Sequence, residues 1–155
     1  VSQFFVDSSA LVKRYVTEVG TLWMQQLSNP VAGHTIILAT ITRVEVAAAL
    51  ASRHRTYAGL TLAERDGAVA LLEQHCATEY VLIPIDTPVL DRALALTQRH
   101  RLRGYDAVQL ATSLSIDEVY RRADMPPLTL LSADHDMLNA ALAEGLAVDN
   151  PNMHP

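Results

Sequence analysis

Cysteine is almost missing from this chain: Cys76 stands alone among 155 residues. A single thiol excludes an intrachain disulfide and any zinc site built on cysteines, and it fits a reducing compartment, the cytoplasm. Long apolar runs are missing too. None approaches the roughly 20 residues that a membrane span requires, and no basic region leads into an apolar stretch at the N-terminus, so neither a membrane association nor a secretory signal is expected. An excess of positive charge is also lacking. Lys and Arg number 12 against 17 Asp and Glu, a formal net charge of −5, which argues against a broadly basic nucleic-acid binder. A nuclease survives that argument, because bound metal cancels negative charge locally. No G-x-G-x-x-G follows the first apolar run, which disfavours a dinucleotide cofactor. Repeats, linkers and low-complexity segments are absent, so residues 1–155 read as one domain with a core of ordinary size.

What is present alternates between strand and helix patterns. Phe4-Phe5-Val6 is a short buried strand closed by Asp7-Ser8-Ser9, where either serine can cap a helix from Ala10 to about Val16. A second helix is expected from about Val19 to Leu27, then a strand over Thr35 to Ala39 and an Ala-rich helix over Val44 to Ser52. Thr61 opens a long helix toward Glu79, Val81 to Ile83 is a strand, and Asp86 caps a helix running from Val89 to about Arg99. Gly104 punctuates the chain before a helix over Asp106 to Ile116, whose buried face is Ala107, Leu110, Ala111 and Leu114. The polar stretch from Ser115 to Asp124 fits either a longer helix or a loop. Leu128 to Leu131 is a strand, His135 to Glu144 a helix, and Leu146 to Val148 a last strand. Strands alternating with helices imply an α/β fold whose mostly parallel sheet is covered on both faces. Ligands then bind at the carboxyl ends of the strands.

Four acids fall at or near that edge: Asp7, Glu45, Asp106 and Asp134. Each has an ordinary structural explanation. Asp7 suits an Asx-turn or helix cap, and Thr42-Arg43-Val44-Glu45 fits the capping box S/T-x-x-E. Asp106 is favoured by a helix macrodipole, and Asp134 can cap the helix behind it, with Asp136 in its first turn as an auxiliary acid. Brought together, however, four carboxylates cannot all stay ionised without a cation. Hard oxygen donors suit Mg²⁺ or Mn²⁺. Cations lie nearby in sequence, namely Lys13, Arg14, Arg43, Arg99, Arg101 and Arg103, and solvated helix ends account for most of them. His135 is a weak ligand candidate.

The segments Phe5-Val6-Asp7-Ser8-Ser9-Ala10-Leu11-Val12-Lys13, Thr42-Arg43-Val44-Glu45-Val46, Tyr105-Asp106-Ala107-Val108-Gln109-Leu110-Ala111-Thr112 and Ser132-Ala133-Asp134 resemble the PIN domain, in particular the VapC-type toxin ribonucleases of toxin–antitoxin pairs. The resemblance spans nearly the whole chain; the stretch from Ser115 to Pro127 is longer than the usual pattern. It implies a three-layer α/β/α sandwich, an acid quartet holding one or two Mg²⁺ or Mn²⁺ ions, and endonucleolytic cleavage of RNA. It also implies a homodimer and inhibition by a small cognate antitoxin. By the same resemblance Asp7, Glu45, Asp106 and Asp134 take the acid positions, with Ser8 and Ser132 as flanking hydroxyls.

The expected chemistry is metal-assisted hydrolysis, in which a bound ion lowers the pKa of a water and no side-chain nucleophile is needed. Lys13 or Arg103 is expected to hold the phosphate backbone. Three rivals remain: a stand-alone nuclease, a non-catalytic RNA- or protein-binding module on the same fold, and a phosphoaspartate protein. A receiver domain wants an adjacent acidic pair ahead of Asp7, and an Asp-nucleophile phosphatase wants an acid where Ser9 stands; neither is present.

Overall fold

Short, mainly apolar runs, of which those ending at Val6, Ala39 and Leu131 stop at a polar residue, form the strands of the sheet. In the computed structural model, which describes residues Val1–Pro155, these are β1 (Gln3–Val6), β2 (Thr35–Ala39), β3 (Val81–Ile83), β4 (Leu128–Leu131) and β5 (Ala147–Asp149). They pair in the order β3-β2-β1-β4-β5, and every pairing is parallel. The helices are α1 (Ser8–Leu11), α2 (Thr21–Leu27), α3 (Thr42–Arg55), α4 (Leu62–Thr78), α5 (Thr87–Arg99), α6 (Gly104–Arg122) and α7 (His135–Ala143). No helix is long and apolar enough to cross a membrane.

Side chains alternate between the two faces of each strand, so the sheet carries two cores. Phe5, Ile37, Ala39, Leu128 and Leu130 pack with Val89, Leu96, Leu110, Leu114 and Met137 of α5, α6 and α7. Val6, Ile36, Leu38 and Leu131 face the other way, onto Leu11, Met24, Val46, Leu50 and Leu72 of α1 to α4. The result is the expected α/β/α sandwich. Its central strand β1 lies between β2 and β4, so the chain reverses its direction of travel across the sheet at the β1/β4 boundary. A switch point of that kind opens a crevice at the carboxyl ends of the strands.

Several boundaries differ from the sequence expectation, each for a local reason. Asp7, not Ser8 or Ser9, caps α1, accepting from the Ala10 amide. That helix lasts one turn before tightening into a 3₁₀ segment over Val12–Arg14. Thr42 does not head a capping box, because Ile41 is the cap residue of α3 and no side chain closes that end. The box forms instead at Thr61 and Glu64, at the start of α4. Gly104 is the first residue of α6, and the undecided polar stretch continues that helix to Arg122. The buried Asp117 fixes that extension: its Oδ1 accepts from the Leu128 amide at 3.1 Å, tying the helix to the start of β4.

Candidate active site at the carboxyl edge of the sheet

The turns after β1 and β4 are laced together by hydroxyls. The Asp7 amide donates to the Leu131 carbonyl at 3.1 Å, placing the two strand ends side by side. Ser132 Oγ then donates to Asp7 Oδ2 (2.6 Å), and Ser9 Oγ donates to Asp7 Oδ1 (2.7 Å). The two hydroxyl oxygens lie 3.3 Å apart. Ser9 Oγ also accepts from the Ala133 amide (2.8 Å), and Ser132 Oγ from the Asp134 amide (3.1 Å). Asp7 is therefore held at both oxygens by groups from two strands. It is only 3% exposed, and burial pushes its carboxyl up from 3.8 to about 6. The hydrogen bonds from Ser132, Ser9 and the Ala10 amide oppose that shift, while the charge of Asp106 adds to it.

Glu45 comes to the same place from the first turn of α3. Ser8 Oγ donates to its Oε2 at 3.2 Å, and Gln109 Nε2 donates to its Oε1 at 2.6 Å. Gln109 donates as well to Thr42 Oγ1 at 2.8 Å. Asp106 and Asp134 line a cleft of about 510 Å³ together with His100, Arg101, Arg103 and Asp136. Asp134 takes the capping position that the sequence suggested. Its Oδ1 caps α7 by accepting from the Asp136 and Met137 amides, while its Oδ2 lies 3.9 Å from an Arg103 nitrogen. Asp106 Oδ2 lies 3.2 Å from Arg103 Nε.

The auxiliary and cationic residues divide. Ser8 and Ser132 stand where expected, each bonded to an acid of the quartet. Asp136 faces the rim of the cleft, 3.7 Å from Arg101 Nε. Lys13 does not face the acids: it is 6% exposed, and its ammonium is taken up by Glu18 Oε1 (3.1 Å) and the Val19 carbonyl (3.0 Å). Its assignment to the phosphate backbone is corrected, because the 3₁₀ turn after α1 directs it back toward Glu18. Arg14, Arg43 and Arg99 are likewise engaged elsewhere, by Glu79, Glu73 and Glu144. Only Arg103 contacts acids of the quartet.

Ser9, one of the two hydroxyl residues that follow Asp7, bridges that acid to the β4 turn, whereas Gln109 is a partner of Glu45 that the sequence did not single out. Gln109 follows Asp106 by three residues on α6, the spacing that puts two side chains on one helix face, and this was its only signal in the sequence.

A metal can be tested against this donor set. The four groups offer carboxylate oxygens only, the preference of a hard divalent cation. Their negative charge is met by one exposed guanidinium, and the buried Asp7 has no cationic partner. As the side chains stand, no three His, Cys, Asp or Glu groups are near enough together to hold an ion. Donor chemistry and uncompensated charge fit Mg²⁺ or Mn²⁺; closing round one would require the side chains to draw inward.

Comparison with known proteins agrees with this architecture. A family model described as the PIN domain matches residues 4–142. Among solved structures, a chain in the FitAcB structure from Neisseria gonorrhoeae superposes with a TM-score of 0.61 at 18% identity, covering 96% of this chain and 97% of that one. VapC20 of Mycobacterium tuberculosis, described as a sarcin-ricin loop cleaving toxin, gives 0.61 at 17% identity over 93% and 96%. VapBC2 from Rickettsia felis, solved with a DNA fragment from its promoter, gives 0.62 at 8% identity over 96% and 98%. At these identities the likeness is one of fold. No curated protein matches the sequence.

Proposed function

The chain belongs to the PIN domain family, and from that premise we propose that it is a metal-dependent endoribonuclease, the toxin of a toxin–antitoxin pair. The observation that carries this reading is the lacing of the buried Asp7 to the turn after β4 through Ser9 and Ser132, with the candidate acids Asp106 and Asp134 paired to one guanidinium. Asp106 and Asp134 line an open cleft there, and Asp7 is buried without a cation beside it. Structural neighbours described as toxins or toxin–antitoxin complexes support the toxin assignment.

The four acids would hold one or two Mg²⁺ or Mn²⁺ ions. When bound, such an ion would supply Lewis acidity, lowering the pKa of water and offsetting charge on the leaving oxygen. The chain's own contribution is placement. Ser9 and Ser132 fix the Asp7 carboxylate, Ser8 and Gln109 fix that of Glu45, and the cap on α7 fixes Asp134. Hydrogen bonds that limit the freedom of these carboxylates reduce the reorganisation left to be made when an ion draws them inward. Arg103, at the cleft wall, is the cation suited to an RNA phosphate. A homodimer, a small cognate antitoxin and a cytoplasmic site of action complete the proposal.

The test is cleavage of RNA by purified, antitoxin-free protein. Activity should require Mg²⁺ or Mn²⁺, stop in excess EDTA, and be lost in Asp7→Ala and Asp106→Ala. Cleavage that persists in EDTA would overturn the metal mechanism. Binding of RNA with no cleavage under any cation would leave the non-catalytic module as the answer.

A further inference from the structure

The quartet has one cation, and it is held loosely. Arg103 lies in extended backbone just ahead of α6 (φ −73, ψ 161), where its side chain caps nothing. From there its guanidinium reaches Asp106 Oδ2 through Nε (3.2 Å) and Asp134 Oδ2 through a terminal nitrogen (3.9 Å). The side chain remains 84% exposed. Ion pairs in that setting are weak, because solvent screens them and the long side chain must be held in one geometry.

We propose that Arg103 is a built-in counterion of the acid cluster, which a divalent cation must displace to bind. This rests on the metal-dependent reading above. Two observations support it. The guanidinium pairs with two acids that come from different elements, α6 and the turn after β4, so it spans the gap that an ion would fill. No other cation pairs with an acid of the quartet: Lys13, Arg14, Arg43 and Arg99 are each committed to a glutamate, and Arg101 on the same cleft faces Asp136.

The exchange is chemically reasonable in both directions. The guanidinium hydrogen-bonds one carboxylate, Asp106 (3.2 Å), and only approaches the other, Asp134 (3.9 Å), whereas a small divalent ion such as Mg²⁺ binds oxygens at about 2.0–2.1 Å with twice the charge. The ion therefore wins the acids whenever it is plentiful, and Arg103 covers them when it is scarce. Once displaced, Arg103 stays on the wall of the 510 Å³ cleft beside Arg101, where an RNA phosphate replaces the lost carboxylates. Metal entry and phosphate capture thereby become coupled through one side chain.

The experiment is Mn²⁺ titration by calorimetry of the full chain, comparing wild type with Arg103→Gln and with the rim control Arg101→Gln. Arg103→Gln should bind Mn²⁺ more tightly, by roughly two- to five-fold, while Arg101→Gln should change it much less. Its melting temperature should stay close to wild type, because the removed group is exposed. Unchanged or weaker Mn²⁺ binding in Arg103→Gln, with clear binding by wild type, overturns the counterion role and leaves the metal site standing. No Mn²⁺ binding by either protein overturns both.

Discussion

Gln109 Nε2 lies 2.6 Å from Glu45 Oε1, a contact between α6 and α3 made by a side chain only 1% exposed. The same nitrogen donates to Thr42, while Gln109 Oε1 has no partner. Leaving a buried acceptor unpaired carries a penalty of about 1–3 kcal/mol, and what is gained is a donor aimed at a carboxylate of the quartet. Gln109 is thus a positioning residue for Glu45. Replacing Gln109 with Leu removes a hydrogen bond to a charged group, worth about 1.5–3 kcal/mol, so ribonuclease activity should fall on the order of 10- to 100-fold. Gln109→Glu should be worse at neutral pH, since two adjoining carboxylates raise each other's pKa. Rate against pH for the three proteins checks this; equal rates throughout would reduce Gln109 to packing.

Asp7 makes stability depend on pH. Its folded carboxyl titrates near 6 against an ordinary 3.8, so the unfolded chain gives up that proton first. The contribution of this group to stability is full below about 3.8, declines as pH rises through 6, and is level above. The loss amounts to roughly 3 kcal/mol. Asp7→Asn should therefore abolish cleavage and yet raise the melting temperature at pH 8, with little gain at pH 4. Mn²⁺ should raise the melting temperature of wild type at pH 8 and do so much less for Asp7→Asn. A variant that melts below wild type at pH 8 would contradict the burial argument.

The strands and the acids were legible because each rests on local chemistry. Phe4 to Val6 and Leu128 to Leu131 are largely apolar runs ended by polar residues, with Asp7 and Asp134 just beyond them, while Glu45 and Asp106 lie in the first turns of α3 and α6. Partner choice was not local. Two segments match S/T-x-x-E, Thr42 to Glu45 and Thr61 to Glu64, and only the second forms the box. The first is overridden because Glu45 is drawn to Ser8 and Gln109, residues 37 and 64 positions away. The helical nature of Ser115 to Arg122 was undecidable for a similar reason: the bond from Leu128 to Asp117 that anchors it crosses between elements. For Asp134 the cap was legible, and its second oxygen is left to face Arg103 at 3.9 Å.

Lys13 follows Asp7 closely in sequence yet serves stability. Its ammonium is buried against Glu18, which also receives Arg53 at 3.0 Å. Lys13→Met should cost about 1–3 kcal/mol, less than a fully buried pair because Glu18 is part-exposed and keeps Arg53. Affinity for RNA, measured below the melting transition, should stay at the wild-type value. A selective loss of RNA binding without destabilisation would restore Lys13 to the substrate path.

Gly20 supports the far end of the chain. Its φ is +85, and a Cβ built there would come within 2.3 Å of the Pro151 carbonyl oxygen. The segment it presses on is held by a stack of His154 on Trp23, centroids 4.1 Å apart and 5° from parallel, and by His154 Nε2 at 2.9 Å from Asp149. Gly33 provides the contrast, since its φ is +72 but the nearest atom to an added Cβ is 4.0 Å away. Gly33→Ala should lose only the left-handed penalty, about 1–2 kcal/mol. Gly20→Ala bears that penalty and must also move backbone, for a total of about 2–4 kcal/mol. Because Trp23 is the only tryptophan, its native-state emission should shift in Gly20→Ala and stay fixed in Gly33→Ala. Equal destabilisation of the two variants, with unchanged emission in both, would show that the C-terminal segment is not seated on Gly20.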